Sequence, residues 1–158
     1  MHHWHYASLN TYLIVQLLPH NIFKSTEPKR SLMIDSYDFG RIVIDGKEYN
    51  NDIIIIEGRV YPEWWREEGH FLSVKDLGPV LEAKINTLII GTGHSGAMRI
   101  GRGVREYCKE KGIELIELKS REAVERYNEI IGSDLGQRRQ SPGSKMAKGV
   151  AIGIHLTC

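Results

Sequence analysis

Two kinds of hydrophobic pattern alternate along the chain after residue 33. Short apolar runs rich in β-branched residues are typical of buried strands, and they stand at "RIVI", "DIIIIEG", "INTLII", "IELIEL" and "GVAIGIHLTC". Apolar residues at helical spacing lie between them: Val74, Leu77, Val80 and Leu81 in one segment, and Ala123, Val124, Tyr127, Ile130 and Ile131 in another. A further helix is predicted over 103–111, ended by Gly112.

The order of these elements predicts an α/β fold. Two or three β segments come first, with the turn dipeptide "DG" at 45–46 between two of them. Helices and strands then alternate, which predicts a parallel or mostly parallel sheet with right-handed crossovers. The leading β segments predict an extra layer on that sheet. The stretch "YPEWWREEGHFLS" and residues 132–148 have no clear period and are predicted to be loops.

Composition and charge narrow the class of protein. A chain of 158 residues suits one domain, and its formal net charge of +1 gives no indication of nucleic acid or an anionic membrane as partner. We interpret residues 1–32 as an extension that precedes a single domain at 33–158. A start codon assigned too far upstream would produce such an extension. The extension's apolar patch is too short and polar to span a bilayer, and its "HHWH" tract is interpreted as an exposed tail rather than a metal site. Two cysteines favour a reducing cytoplasm.

The stretch "GTGHSG", Gly91 to Gly96, has the G-x-G-x-x-G pattern of dinucleotide-binding loops. It follows a predicted strand, and Glu114 and Glu117 lie about 20 residues on, as a ribose-binding acid would. However, Gly101 and Gly103 would weaken the first turns of the helix that should follow, and the chain has room for barely one mononucleotide-binding half. The pattern therefore favours a tight turn at the carboxyl edge of the sheet, where a ligand pocket is still plausible.

Four stretches taken together resemble the Mth938-like domain family over residues 34–158: "WWREEGH" (64–70), "LIIGTGHSG" (88–96), "AVERYN" (123–128) and "HLTC" (155–158). This family contains small bacterial and archaeal proteins, and its eukaryotic relatives include the adipogenesis-associated Mth domain-containing protein and a mitochondrial complex I assembly factor. The resemblance implies a three-layer fold, with a central mixed sheet flanked by helices and an additional N-terminal β layer. It implies no established reaction.

The resemblance also marks positions that recur in the family, although residues 1–32 have no counterpart and the loop at 132–148 is longer than usual. The matching residues are Trp65, Arg66, Gly69, His70, Gly91, Thr92, Gly93, Gly96, Tyr127, Asn128, His155, Thr157 and Cys158.

The spacing of the histidines and cysteines gives little support to a metal site or to thiol chemistry. A metal site would require convergence of several of the residues His70, His94, His155, Cys108 and Cys158. None of them form a paired-ligand motif, so we expect no metal and no cofactor. If the last strand continues to the end, His155 and Cys158 lie on opposite faces of it, which disfavours a local His–Cys pair.

The segment "WWREEGH" suggests binding instead. Trp and Arg dominate interaction hot spots, so Trp64 and Trp65 form a candidate partner surface, and Arg66 could hold a carboxylate or phosphate. The alternative is that Trp65 packs as a lid over the sheet while Arg66 pairs with a glutamate.

These observations favour a non-catalytic binding or assembly-accessory protein of the cytoplasm, monomeric or homodimeric, with an unknown protein partner. The alternative is a binder of a small molecule or anion, enzyme or not, that uses a pocket at the glycine turn; dinucleotides rank below other ligands. The residues of that candidate pocket are Arg66, His70, Gly91, Thr92, Gly93, His94 and Gly96.

Overall fold

The computed structural model describes residues 31–140 and 149–158, with side chains described as far as residue 137 in the first range. The strands are β1 (Ile34–Asp38), β2 (Arg41–Ile44), β3 (Lys47–Tyr49), β4 (Ile53–Ile56), β5 (Arg59–Tyr61), β6 (Phe71–Leu72), β7 (Thr87–Gly91), β8 (Arg99–Ile100), β9 (Glu114–Leu118) and β10 (Val150–Ile154). The helices are a 3-10 helix (Val74–Glu82), α1 (Arg102–Lys111) and α2 (Ser120–Gln140). The expectations for residues 1–30, including the "HHWH" tract, lie outside the described residues.

The central sheet has the strand order β5-β4-β10-β7-β9. The β10–β7 and β7–β9 pairs are parallel, and the β10–β4 and β4–β5 pairs are antiparallel. Parallel neighbours need crossover connections, and α1 and α2 supply them as the alternating pattern predicted. The α/β class with a mixed central sheet is therefore confirmed, although two of its four strand pairs are parallel, fewer than the mostly parallel sheet that was predicted.

Alternating side chains divide the core between the two faces of this sheet. In β4, Ile53 and Ile55 pack with β1, β2 and α2, whereas Ile54 and Ile56 pack with the 3-10 helix and α1. Strands β1, β2 and β3 form a separate antiparallel sheet. The molecule thus has three layers, with the expected N-terminal β layer beside α2. Leu32, assigned to the extension, already packs against the core on that side.

The prediction of a loop over 132–148 is wrong for its first part, because α2 continues to Gln140. The segment has no clear apolar period, and it contains Gly132 and Gly136, but glycine inside a helix only weakens it. The buried Ile131 and the partly buried Leu135, one turn apart, continue the apolar face against the core. Residues 141–148 lie outside the described range.

Two local features also differ from the expectations. The predicted loop before the 3-10 helix contains β6, which pairs in parallel with β8. The helix itself is 3-10 rather than α, and Gly78 breaks it with a φ of 27° before Pro79. No helix in the described ranges has the length and apolar character to cross a membrane.

Candidate functional site

The glycine-rich turn follows β7, and the backbone around it is saturated with internal hydrogen bonds. All five N–H groups of residues 92–96 donate within the protein. The acceptors are Leu118 O at 2.9 Å, Ser120 Oγ at 2.9 Å, Thr157 O at 3.2 Å, Cys158 O at 2.8 Å and Gly93 O at 3.3 Å, in chain order. A phosphate loop needs N–H groups that point at the ligand, whereas all five of these are used within the protein, and those of His94 and Ser95 hold the end of the chain.

Gly93 permits this close approach. Its φ is +105°, and a Cβ there would lie 2.6 Å from Thr157 O, 2.9 Å from Cys158 O and 3.0 Å from His155 Cδ2. Only glycine combines that backbone angle with such close neighbours. The glycine pattern thus accommodates the C-terminal tail, residues 155–158.

Strand register places Asp52 beside His155. Ile53 of β4 is paired with Ile154 of β10, so the residue before one strand lies next to the residue after the other. Asp52 Oδ2 lies 2.8 Å from His155 Nδ1, and Asp52 Oδ1 accepts the Leu156 N–H at 2.7 Å. Burial by itself would raise the pKa of the Asp52 carboxyl, but hydrogen bonds from His155, Leu156 N–H and Arg66 outweigh it and lower that pKa below its usual value.

Arg66 completes this buried network. Its side chain is 4% exposed, and Nη2 lies 2.7 Å from Asp52 Oδ2, 2.9 Å from His155 Nδ1 and 3.1 Å from Gly69 O. The guanidinium also lies 4.9 Å from the centre of the Trp64 ring, a cation–π distance. Arg66 therefore pairs with an aspartate inside the protein, and not with a glutamate.

The two tryptophans have opposite environments. Trp64 is 9% exposed and donates from Nε1 to Asp76 O at 2.7 Å, and its ring packs over Gly153 of the central sheet. Trp65 is 84% exposed. The expectation that both indoles form one surface is therefore wrong for Trp64, because Trp64 is the residue that packs on the sheet.

A second group of polar atoms meets at the tail. His70 Nε2 lies 2.9 Å from Cys158 Sγ, and the rings of His70 and His155 are 6.0 Å apart and nearly perpendicular. One ligand atom from each of His70, His155 and Cys158 lies within 4.8 Å of the other two. The alternation argument against a His–Cys arrangement does not apply, because β10 ends at Ile154 and Cys158 has a φ of +56°.

The other candidate ligands lie elsewhere. The ring of His94 packs edge-on against Phe39, 5.6 Å between centres. Cys108 is buried in α1, and that burial raises the pKa of its thiol. The tail cluster, defined as His70, His155 and Cys158 with Asp52 and Arg66 behind it, thus includes only some of the residues considered from sequence.

An open pocket of about 530 Å³ adjoins the glycine turn, and no residue of the tail cluster lines it. Of the expected pocket residues, Thr92 and Gly96 line it, whereas Arg66 and His70 belong to the tail cluster. Three cations share the pocket wall with two acids: Arg99, Arg105, Lys119, Glu117 and Glu122. Arg105 is ion-paired with Glu117, so the excess positive charge is small.

Sequence reasoning missed Asp52 and the full role of Ser120. Asp52 stands directly before an unbroken apolar strand, where a carboxylate must find partners in order to approach the core; that position was its only signal. Ser120 stands at the start of α2, where serine is a common helix cap. In the structure it is fully buried, donates from Oγ to His155 O at 2.5 Å, and accepts the Gly93 N–H.

Comparisons with known proteins agree with this fold. A family described as "Protein of unknown function (DUF498/DUF598)" matches residues 34–139. Among solved structures, MT938 is 28% identical, with 81% of this chain and 100% of that chain covered and a TM-score of 0.56. A protein described as an outer membrane protein from Bartonella henselae is 25% identical, with 83% and 98% covered and a TM-score of 0.64. PH1505 from Pyrococcus horikoshii OT3 is 26% identical, with 79% and 98% covered and a TM-score of 0.55.

A Mth938-like domain from Bordetella pertussis is only 12% identical but has a TM-score of 0.56 over 78% of this chain and 85% of its own. At that identity the likeness concerns the fold alone. Together with MT938 it confirms the resemblance to the Mth938-like domain family.

Proposed function

The chain belongs to the DUF498/DUF598 family and has the Mth938-like fold, and we propose that it is a non-catalytic binding protein that engages a protein partner through Trp65. The observation that carries this proposal is the 84% exposure of the Trp65 side chain. Tryptophan is costly to leave in water and is enriched at the centres of binding interfaces.

The residues on either side of Trp65 are held in place by hydrogen bonds. On one side Trp64 is anchored by its hydrogen bond to Asp76 O, and on the other Arg66 is held by Asp52. An aromatic side chain whose neighbouring residues are already fixed loses little conformational freedom on binding, which favours affinity.

Charge indicates the character of the partner. Glu63, Glu67 and Glu68 flank Trp65 and are exposed. A complementary partner surface would have an apolar pocket with basic residues at its rim, because opposite potentials steer association. The two free thiols, Cys108 and Cys158, favour a reducing compartment such as the cytoplasm.

The test uses a photo-crosslinking amino acid at position 65 in cells, with position 39 as the matched control. Phe39 is also an exposed aromatic residue, at 60%, but lies in the β1–β2 turn. We expect a protein adduct at 65 that is absent at 39. With that partner purified, Trp65→Ala should weaken binding by about thirtyfold or more, since hot-spot residues cost at least about 2 kcal/mol, and Phe39→Ala by less than about twofold.

The proposal would be abandoned if position 65 gives no adduct beyond those at position 39. Equal affinities of the Trp65→Ala variant and the unaltered chain for the purified partner would also contradict it.

A small anion is a second candidate ligand, because the open pocket beside the glycine turn is of the size that small-molecule sites have. Lys119 and Arg99 supply its positive charge. Thermal unfolding with phosphate and nucleotides tests this, with Lys119→Gln as the variant. A midpoint that rises with phosphate in the unaltered chain but not in Lys119→Gln supports an anion site, and no rise contradicts it.

A further inference from the structure

We propose that His70, His155 and Cys158 bind a transition-metal ion of the Zn²⁺ class. The three side chains present two imidazoles and one thiol, which are the ligand types that Zn²⁺ selects. They come from the loop before β6 and from the tail after β10, so they meet only because the tail returns onto the glycine turn.

His155 provides the strongest indication. It is 6% exposed, and within the described ranges its Nε2 is buried without a hydrogen-bond partner. Buried polar atoms are normally satisfied. In the same ranges Arg66 Nε and Nη1 also lack a partner, but both are N–H donors, whereas His155 Nε2 can offer a lone pair to a metal. Nδ1 lies 2.8 Å from Asp52 Oδ2 and 2.9 Å from Arg66 Nη2. The carboxylate can only accept, whereas Nη2 already donates to Asp52 and to Gly69 O. The proton therefore belongs on Nδ1, and the lone pair of Nε2 is left free.

Asp52 has the position of an outer-sphere partner. Histidine ligands of metals usually donate their other N–H to a carboxylate, which fixes the ring and strengthens the ligand. The 2.8 Å contact between Asp52 Oδ2 and His155 Nδ1 has that geometry. Arg66 in turn is neutralised by the same carboxylate at 2.7 Å, so its charge opposes a cation less than that of a free guanidinium.

The spacing of the ligand atoms is close to that of a tetrahedral site. Metal–nitrogen and metal–sulfur distances of about 2.1 and 2.3 Å imply ligand atoms about 3.4–3.6 Å apart. Here His70 Nε2 and Cys158 Sγ are 2.9 Å apart, and all three ligand atoms lie within 4.8 Å of one another. His70 and Cys158 reach solvent, so they can move by the roughly 1 Å needed while His155 stays fixed.

A metal accounts for the cluster better than a His–Cys pair alone. Such a pair would use His70 and Cys158 and leave His155 Nε2 without a partner. A metal uses all three and leaves a fourth tetrahedral position open to water or another ligand, as three-ligand zinc sites do. This inference is independent of the surface at Trp65.

The experiment is a Co²⁺ titration of the reduced, metal-free full chain, followed by optical absorption. A thiolate ligand on Co²⁺ gives a sulfur-to-metal charge-transfer band, which the N-terminal histidines cannot imitate. We expect one equivalent of Co²⁺ to produce that band, and Zn²⁺ to remove it by displacement. Cys158→Ser should abolish the band, and His70→Gln should weaken Zn²⁺ binding by at least about tenfold, the lower end of what even outer-sphere losses cost.

Two control variants each remove a thiol or an imidazole that lies outside the cluster. Cys108→Ala removes the other thiol and His94→Gln removes a histidine outside the cluster; both should retain the band and the Zn²⁺ affinity. Absence of the band in the unaltered chain would overturn the proposal. So would a band that survives in Cys158→Ser, or one that is lost equally in His94→Gln. Circular dichroism of each variant establishes that it is folded before titration.

Discussion

At the scale of single residues, Gly93 has two separate reasons to be glycine. Its φ of +105° is unfavourable for other residues, and the Thr157 and Cys158 carbonyls stand where a Cβ would lie. We expect Gly93→Ala to lower the free energy of unfolding by about 2–4 kcal/mol, from backbone strain and overpacking together. Amide exchange at His94 and Ser95, which donate to those carbonyls, should become faster because the tail is displaced.

Gly46 is the control for strain alone. Its φ is +76°, and a Cβ there would meet nothing within 4 Å. Gly46→Ala should cost about 1–2 kcal/mol and leave exchange at His94 and Ser95 unchanged. If both alanine variants lose the same stability and Gly93→Ala exchanges normally, the tail does not depend on the small size of Gly93.

The same residues show how far sequence could predict the site. The pattern located the turn after a strand, because glycines and a preceding apolar run are local signals. It could not reveal that tail carbonyls accept the turn's N–H groups, since that requires pairing β10 with β7. Trp64 and Trp65 are chemically identical neighbours, and tertiary contacts of Trp64 separate them: its packing over Gly153, its hydrogen bond to Asp76 O and its contact with Arg66.

At the scale of elements, α2 contains a glycine with no structural role. Gly132 lies inside the helix, and a Cβ there would have open space. We expect Gly132→Ala to raise the free energy of unfolding by about 0.4–1 kcal/mol, because alanine has the higher helix propensity and a less flexible unfolded chain. Denaturant unfolding monitored by circular dichroism measures the change.

Gly101, the N-cap of α1, is the contrasting position. A Cβ there would lie 2.8 Å from both Leu72 O and Phe71 Cζ, so Gly101→Ala should lose about 1–3 kcal/mol. A loss of stability in Gly132→Ala would show that α2 needs a break at that residue.

The type of an element could be predicted from sequence where its hydrophobic pattern extends over several residues. β4, β7, β9 and β10 were all predicted because each belongs to a short, mainly apolar run rich in β-branched residues. The end of α2 was missed because the sequence after Ile131 has no clear apolar period, and only the structure shows that Leu135 packs against the core. β6 and β8 have two residues each, which is too short for a pattern to emerge.

At the scale of the whole molecule, Asp52 connects three separate parts of the chain. Its carboxylate contacts Arg66, His155 and Leu156 N–H, and its backbone carbonyl accepts the Trp64 N–H at 2.8 Å. β4, the tryptophan segment and the tail are thus held at one charged group. The free energy of unfolding and the geometry of the tail cluster should therefore both depend on the ionisation of Asp52.

The last prediction concerns acid unfolding. The pKa of Asp52 is lower in the folded protein than in the unfolded chain, so its stabilisation is present above the unfolded value of about 3.9 and is lost as pH falls through the folded value. At pH 7, Asp52→Asn should lower the free energy of unfolding by about 3–5 kcal/mol, because Arg66 loses its buried partner. The difference between the two proteins should shrink as pH falls below about 4.

Glu48→Gln separates this effect from general acid sensitivity. The pKa of Glu48 is also lowered, chiefly by hydrogen bonds from Arg41 and Asn50, but this side chain is exposed. Exposed ion pairs contribute little, so Glu48→Gln should follow the unaltered chain from pH 7 to pH 3. A stability difference for Asp52→Asn that stays constant over that range would mean that the carboxylate acts through shape and not through charge, since only an ionised group loses its contribution on protonation.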